Sequence, residues 1–361
     1  MEPVGFELPK KRTKMAVSNV LSPKLDVPYH QIDALPPISK LMGYAKADAR
    51  KSLWQLANTV IPFGVMWYAT YKTLVFPYWV TLLMAIPTSL FVVRLFIMQH
   101  DAGHGSFFKS HRANDLVGYW IGVLTLSPYH YWQKTHAIHH ATSGNLDKRG
   151  FGDIDTLTVK EYRALSRWGQ FKYRAYRHPL TMFVVGPFFQ FVIKHRYPTN
   201  VPKAWKREWR SVHLTNLALV TVLLLASETI GLKNFLLVQI PITFLACFAG
   251  AWLFYIQHQY ADTYWRRDKD WDYFEASVKG SSYYVLPKLL QWFTGSIGLH
   301  HIHHYNSRIP NYRLQKCFDE NPEFQKVTRL SILSSLKCIP LALWDEEKEK
   351  LISFRALSVP T

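Results

Sequence analysis

The chain has 361 residues, of which 48% are hydrophobic, and carries 43 Lys and Arg against 25 Asp and Glu, a formal net charge of +18. Such a charge invites a nucleic-acid reading, but no helix-turn-helix, zinc-finger or RNA-binding signature accompanies it, so nucleic acid is excluded as a partner. The apolar residues instead fall in long runs and aromatics reach 15%, the pattern of an integral membrane protein.

Residues 1–50 are basic and contain Pro23, Pro28, Pro36 and Pro37, and are read as an N-terminal arm on the membrane surface. The first apolar run begins only near residue 54, so no cleavable signal peptide is expected. Residues 53–75 and 78–98 each reach the roughly 20 residues that cross a hydrocarbon core. The short connection between them makes an antiparallel hairpin. Residues 116–126 and 180–193 are below spanning length and carry Gly118, Gly122 or Pro187, which suits interfacial or re-entrant helices. A second hairpin follows, residues 212–230 and 234–256, joined through Gly231-Leu232-Lys233. The remainder reads as a polar cap with helical stretches, ending in a charged tail over residues 341–361. The main domain is therefore expected over residues 51–340.

Histidines punctuate this order. His100 and His104 stand four apart; His136, His139 and His140 stand at i, i+3 and i+4; His300, His303 and His304 repeat that spacing. On a helix each set shares one face, and neutral imidazole is the commonest protein metal ligand. A surface His-rich tract explains one such cluster but not three. Eight imidazoles exceed the four ligands of a zinc ion, whose CxxC and HExxH patterns are absent, and suit two transition-metal ions with open positions. The Glu-x-x-His pairs of soluble carboxylate-bridged di-iron proteins are also missing. Cys247, Cys317 and Cys338 form no CxxC, which argues for a reducing side and a metal not held by thiolate.

One centre requires all three clusters on one side of the membrane. Four spans satisfy this when neither short stretch crosses. Charge agrees: residues 1–53, 99–210 and 259–361 are rich in Lys and Arg, whereas the opposing loops carry essentially Lys72 and Lys233, so the histidines are expected to face the cytoplasm. The expected fold is an all-α integral membrane protein of four transmembrane helices in two hairpins, with interfacial helices and a cytoplasmic cap carrying the histidine-rich site.

His100-Asp101-Ala102-Gly103-His104, His136-Ala137-Ile138-His139-His140 and His300-His301-Ile302-His303-His304 resemble the three histidine boxes of membrane fatty acid desaturases. Gly105-Ser106-Phe107-Phe108, Phe254-Tyr255-Ile256-Gln257-His258-Gln259 and the segment from Tyr305 to Tyr312 are similar to the bacterial and plastid acyl-lipid Δ12 (omega-6) branch. The resemblance covers roughly residues 50–340, and an ordered triple motif is highly specific. It implies two iron ions (Fe2+/Fe3+), O2 as co-substrate, and insertion of a cis double bond into an acyl chain on a membrane lipid, monoene to diene. It also implies a metal-binding histidine beyond the boxes, for which His258 is the matching residue. With no Gly-rich dinucleotide fingerprint and no fused cytochrome b5 motif, the electrons must come from an external ferredoxin- or cytochrome b5-type donor. The expected location is a bacterial inner membrane, or a plastid or endoplasmic reticulum membrane in a eukaryote.

Asp101 is a candidate to orient a ligating imidazole, against an exposed or capping role. His301, off the shared face, is read as lying behind the ligands or facing solvent. His30, His111, His130, His178, His195 and His213 lack partners at helical spacing and are assigned surface or interfacial roles. Gly152-Asp153-Ile154-Asp155 is read as a loop without chemistry. A hydroxylase or ketolase on the same scaffold is the nearest rival. A His-rich metal transporter would place ligands inside its spans, whereas these lie at or beyond span ends.

Overall fold

The computed structural model describes residues 35–199 and 201–358. Four long helices form its frame. Helix α1 (Ala49–Lys72) starts at Asp48, whose side chain accepts from the backbone N–H groups of Arg50 and Lys51, capping otherwise unsatisfied donors. A short turn then leads into α2 (Tyr78–Gly103). The shorter helices α3 (His111–Leu124), α4 (Tyr129–Thr142), α5 (Arg167–Tyr176) and α6 (Gly186–Val192) follow. The second long pair is α7 (Lys206–Thr229) and α8 (Leu232–His258), joined at Gly231, whose φ of +83° only glycine adopts readily. Helices α2 and α8 pack together and both end at the histidine cluster.

Among the described residues three helices, α2, α7 and α8, are long and apolar enough to cross a membrane. The expected first span, residues 53–75, is a helix of sufficient length but not of sufficient apolarity. Its inner face is polar: Ser52, Gln55, Thr59 and Thr70 are buried. Ser52 donates to the Phe107 carbonyl, Gln55 to Asn311, and Thr70 meets Thr88 on α2. Its outer face is apolar and exposed, with Leu53, Trp54, Ile61, Val65 and Tyr68. The helix thus combines an exposed apolar face with a hydrogen-bonded seam. Arg94, buried on α2, extends that seam: its guanidinium donates to Thr59 and to the Trp292 carbonyl and lies 3.8 Å from the Trp292 ring centre.

The two sub-spanning stretches stay short. Residues 116–126 fall largely within the 14-residue α3. Residues 180–193 form a wide π-type turn, Leu180–Val185, that runs into α6. Leu180, Val185, Phe189 and Ile193 are exposed along it.

The all-α expectation needs correction. Strand β1 (Leu157–Thr158) pairs in parallel with β4 (Leu341–Asp345), which pairs antiparallel with β5 (Lys350–Ser353). Strands β2 (Tyr283–Tyr284) and β3 (Arg329–Leu330) form a second, two-stranded sheet. The stretch expected as a charged tail thus contains a hairpin, with Leu343, Trp344 and Leu351 buried. The far half of the N-terminal arm is docked as well. Leu41 is fully buried, the Pro36 carbonyl accepts from Tyr305, and the Asp48 N–H donates to Tyr312. Residues 1–34, with His30, lie outside the described residues.

Candidate metal centre

Each histidine set is delivered by a local element. The last turn of α2 carries His100, and His104 caps its end. Helix α4 presents His136, His139 and His140; α8 ends on His258; the short helix α9 (His300–Tyr305) presents His300, His303 and His304. Contacts between α2, α3 and α4 set the first two sets in place. Tyr129, at the start of α4, donates to the Ala102 carbonyl at 2.8 Å and lies flat on Gly118 of α3, where an added Cβ would come within 2.2 Å of its ring. Trp132 stacks on His136 at 4.4 Å and crosses Gly103, where a Cβ would sit 2.8 Å away.

These elements bring nine imidazoles together in two groups. His100, His104, His136, His140 and His303 form one; His139, His258, His300 and His304 form the other; within each group the ligand nitrogens lie within 4.8 Å of one another. The groups adjoin, for the His140 and His304 rings stack at 4.1 Å. The i, i+3, i+4 spacing therefore does more than align side chains. On α4, His136 and His140 serve one group and His139 the other; on α9, His303 serves one and His300 and His304 the other. Each helix bridges the pair. No Asp or Glu belongs to either group among the described residues.

The donor chemistry fits metal ions. His258 Nδ1 lies 2.9 Å from the Gly280 carbonyl, which can only accept, so Nδ1 carries the proton and Nε2 is bare. His139 Nδ1 lies 2.5 Å from the Asp153 carboxylate, which leaves its Nε2 bare too. These two Nε2 atoms face each other at 3.3 Å. Two lone pairs make no hydrogen bond, and a shared cation satisfies both. Other Nε2 pairs stand at 3.0–3.1 Å: His258 with His300, His136 with His140, His140 with His303. Metal–nitrogen bonds of roughly 2.1 Å meeting near a right angle put ligands roughly 3 Å apart. His104 Nε2 and His304 Nε2 are buried without a hydrogen-bond partner, a condition that calls for an explanation in any buried polar atom. Burial, reinforced by neighbouring imidazoles, holds His104, His136, His140, His300, His303 and His304 well below the ordinary histidine pKa. Neutral rings keep their lone pairs for a metal.

A layer of fixed groups stands behind the histidines. Asp101 is buried; one oxygen faces His100 Nδ1 at 3.2 Å and the other accepts from the Asn311 backbone N–H and side-chain amide at 2.7 and 2.8 Å. Asn311 in turn meets Gln55 of α1, and opens helix α10 (Asn311–Glu320). Asp101 is therefore not exposed; its carboxylate faces His100 and also accepts the first backbone N–H of α10. His301 is in neither metal group and is not solvent-facing. It is fully buried among Tyr283, Phe318 and Phe324, and burial pulls its pKa down to about 3. His130 and His195 are likewise buried rather than superficial, whereas His111, His178 and His213 are exposed. Asp153 and the Gly280 carbonyl escape sequence reasoning. Asp153 lies 14 residues past His139 in a loop, and a carbonyl has no side-chain signature.

A family profile described as "Fatty acid desaturase" matches residues 37–333. The chain belongs to that family. A Bacillus subtilis protein named "Fatty acid desaturase" is 44% identical over 318 residues, covering 88% of this chain and 90% of the relative. An "sn-1 oleoyl-lipid 12-desaturase" of Synechocystis sp. is 24% identical over 268 residues, covering 72% and 73%. An "sn-1 acyl-lipid omega-3 desaturase (ferredoxin)" from the same genus is 27% identical over 321 residues, covering 82% and 84%. The desaturase is thus an oxidoreductase of lipid metabolism. Its apolar helices place it in association with a membrane, and its histidine groups are arranged for metal.

Proposed function

We propose that the desaturase holds two iron ions, one in each histidine group, and introduces a cis double bond into the acyl chain of a membrane lipid, of the Δ12 type, monoene to diene. The observation that carries the two-iron reading is the division of nine imidazoles into groups of five and four with bare nitrogens turned inward. Bound there, the irons would supply the O2-derived oxidising power that an unactivated methylene demands and no side-chain acid or base can provide. The balance is one O2, two electrons and two protons consumed, two hydrogens removed from adjacent carbons, and two waters released.

The residues of the chain set the conditions. Asp101 and Asp153 hold His100 and His139 with Nδ1 protonated, so that Nε2 faces inward. The Gly280 carbonyl does the same for His258. Trp132 against His136, and Phe254 packed beside both His139 and His258, present apolar rings to these histidines and keep water from them. Five and four imidazoles would leave each ion short of six ligands, so that O2 would have access. Electrons come from an external donor; the ferredoxin in the name of the Synechocystis omega-3 relative supports a ferredoxin-type carrier.

In the proposed topology α1, α2, α7 and α8 all span, and the histidines face the cytoplasm. Support comes from the exposed apolar skin of α1 and from the scarcity of cations between the paired helices, Lys72 and Lys233.

Expression in a desaturase-deficient host tests both parts. Gas chromatography–mass spectrometry of the lipid acyl chains is expected to show a diene formed from a monoene. A product desaturated elsewhere would overturn the Δ12 assignment, and a hydroxylated or keto product without new unsaturation would transfer the chain to the rival chemistry. In the same cells, external thiol labelling of introduced cysteines is expected at positions 72 and 233 but not at the exposed position 148 near Asn145; labelling at 148 would break the single-sided topology.

A further inference from the structure

The start of α7 carries a feature that the metal centre does not use. Lys203, Lys206, Trp209, Arg210, His213, Leu214 and Leu217 line an open groove of about 530 Å³. From Lys206 onward these residues fall on one face at helical spacing. Ser211, Val212 and Thr215, on the opposite face, are buried. Ser211 accepts from the His130 backbone N–H there, tying α7 to the helix that carries the second histidine set. The groove therefore looks away from the metal groups.

Its charges are unmatched. Two neighbouring exposed cations have partners: Arg207 pairs with Asp115 at 3.0 Å, and Lys134 lies over the Trp205 ring. Lys203, Lys206 and Arg210 pair with no carboxylate among the described residues, and all are exposed. Trp209 is fixed between them: its indole N–H donates to the Pro202 carbonyl, and its ring stacks against His213 and packs against Tyr197. Below Arg210 the same face turns apolar. Leu214, Leu217, Val220 and Leu224 are exposed along a helix apolar enough to cross a membrane.

We infer that this groove binds an anionic glycerophospholipid, its phosphate among Lys203, Lys206 and Arg210 and its acyl chains along Leu214 and Leu217. The order of features matches the ligand: cations at the head, an interfacial Trp, then an apolar wall. Three unpaired cations complement a phosphate diester, and Trp209 marks the depth at which head groups meet hydrocarbon. An acidic carrier protein would satisfy the cations, but Leu214 and Leu217 lie on a helix apolar enough to cross a membrane, where acyl chains and not a soluble protein meet them. Because the site faces away from the histidines, the lipid held there is a fixed boundary lipid and not the acyl substrate. Through α7 it would steady the contact with α4.

Native mass spectrometry of the full-length protein in neutral maltoside detergent provides the test. Phosphatidylglycerol, phosphatidylcholine and inorganic phosphate are each titrated against wild type, K206Q/R210Q and R210K. Phosphatidylglycerol is expected to bind more tightly than phosphatidylcholine, without competition from millimolar phosphate. K206Q/R210Q should weaken it roughly 10- to 30-fold, at about fivefold per surface cation, and R210K should retain it. Metal content and helicity should be unchanged in both variants, which separates a lost lipid from a lost fold. Equal binding of the two lipids, or no effect of K206Q/R210Q, would overturn the inference. Competition by inorganic phosphate would make the groove a free-anion site. Slower reduction by an acidic ferredoxin in K206Q/R210Q, with lipid binding intact, would make it a protein-docking face.

Discussion

Replacing His258 by Ala is expected to remove about one of the two metal ions per chain and to lower turnover by more than about 100-fold, a larger loss than removing a supporting group behind a ligand. His258 lies outside the three boxes, yet its Nε2 stands 3.3 Å from that of His139 and 3.0 Å from that of His300. Without it the second group keeps three imidazoles, while the first keeps all five. Metal should therefore be lost from one position and not from both. Insertion should survive, since His258 is the last residue of α8 and the apolar body of that helix is untouched. His213→Ala, exposed on the far face of α7, should keep full metal content. Normal iron and turnover in His258→Ala would mean a centre of eight histidines.

The second large effect separates two aspartates that look alike. Asp101→Asn is expected to cost more activity and metal than Asp153→Asn. Both oxygens of Asp101 accept: one from His100 Nδ1, the other from two donors of Asn311. An asparagine can turn only one oxygen. If that oxygen stays with Asn311, its amide N–H groups meet His100 Nδ1, force the other tautomer, and put a proton on the Nε2 that should face metal. If it turns to His100, two buried donors of Asn311 meet two more donors, at a cost of about 1–3 kcal/mol for each unsatisfied group. Asp153 has one oxygen on His139 and the other without a partner, so Asp153→Asn would keep the tautomer and lose only charge. A loss of roughly 10-fold for Asp153→Asn, and approaching roughly 100-fold for Asp101→Asn, follows from the usual weight of such supporting groups. Metal affinity measured by chelator competition checks both; equal losses would contradict the assignment of two engaged oxygens to Asp101.

The histidine spacing was legible because it is a local helical property: residues at i, i+3 and i+4 meet on one face whatever the tertiary fold. The partition into five and four was not. It depends on how α4 and α9 pass between the ends of α2 and α8, and no single segment encodes that crossing. Asp101 could be suspected because it sits beside His100 in sequence. Asp153 could not, since a loop residue 14 positions from its partner leaves no periodic trace. Strands of two residues, such as β1 and β2, are too short for alternation to show. The hairpin of β4 and β5 was masked by the acidic and basic turn between Asp345 and Lys350, although Leu341-Ala342-Leu343-Trp344 supplied the buried strand. In α1 the buried Ser52, Gln55 and Thr59 lowered the mean hydropathy of a helix whose outer face is apolar, so a length-based reading and an average-based reading diverge there.

The most direct test of the central claim is metal analysis of the full-length protein purified in mild detergent from iron-replete cells, by inductively coupled plasma mass spectrometry. Two all-imidazole groups with open positions should yield about two iron ions per chain, with turnover rising in proportion to iron content. A single tightly held zinc per chain, with activity independent of iron, would contradict it.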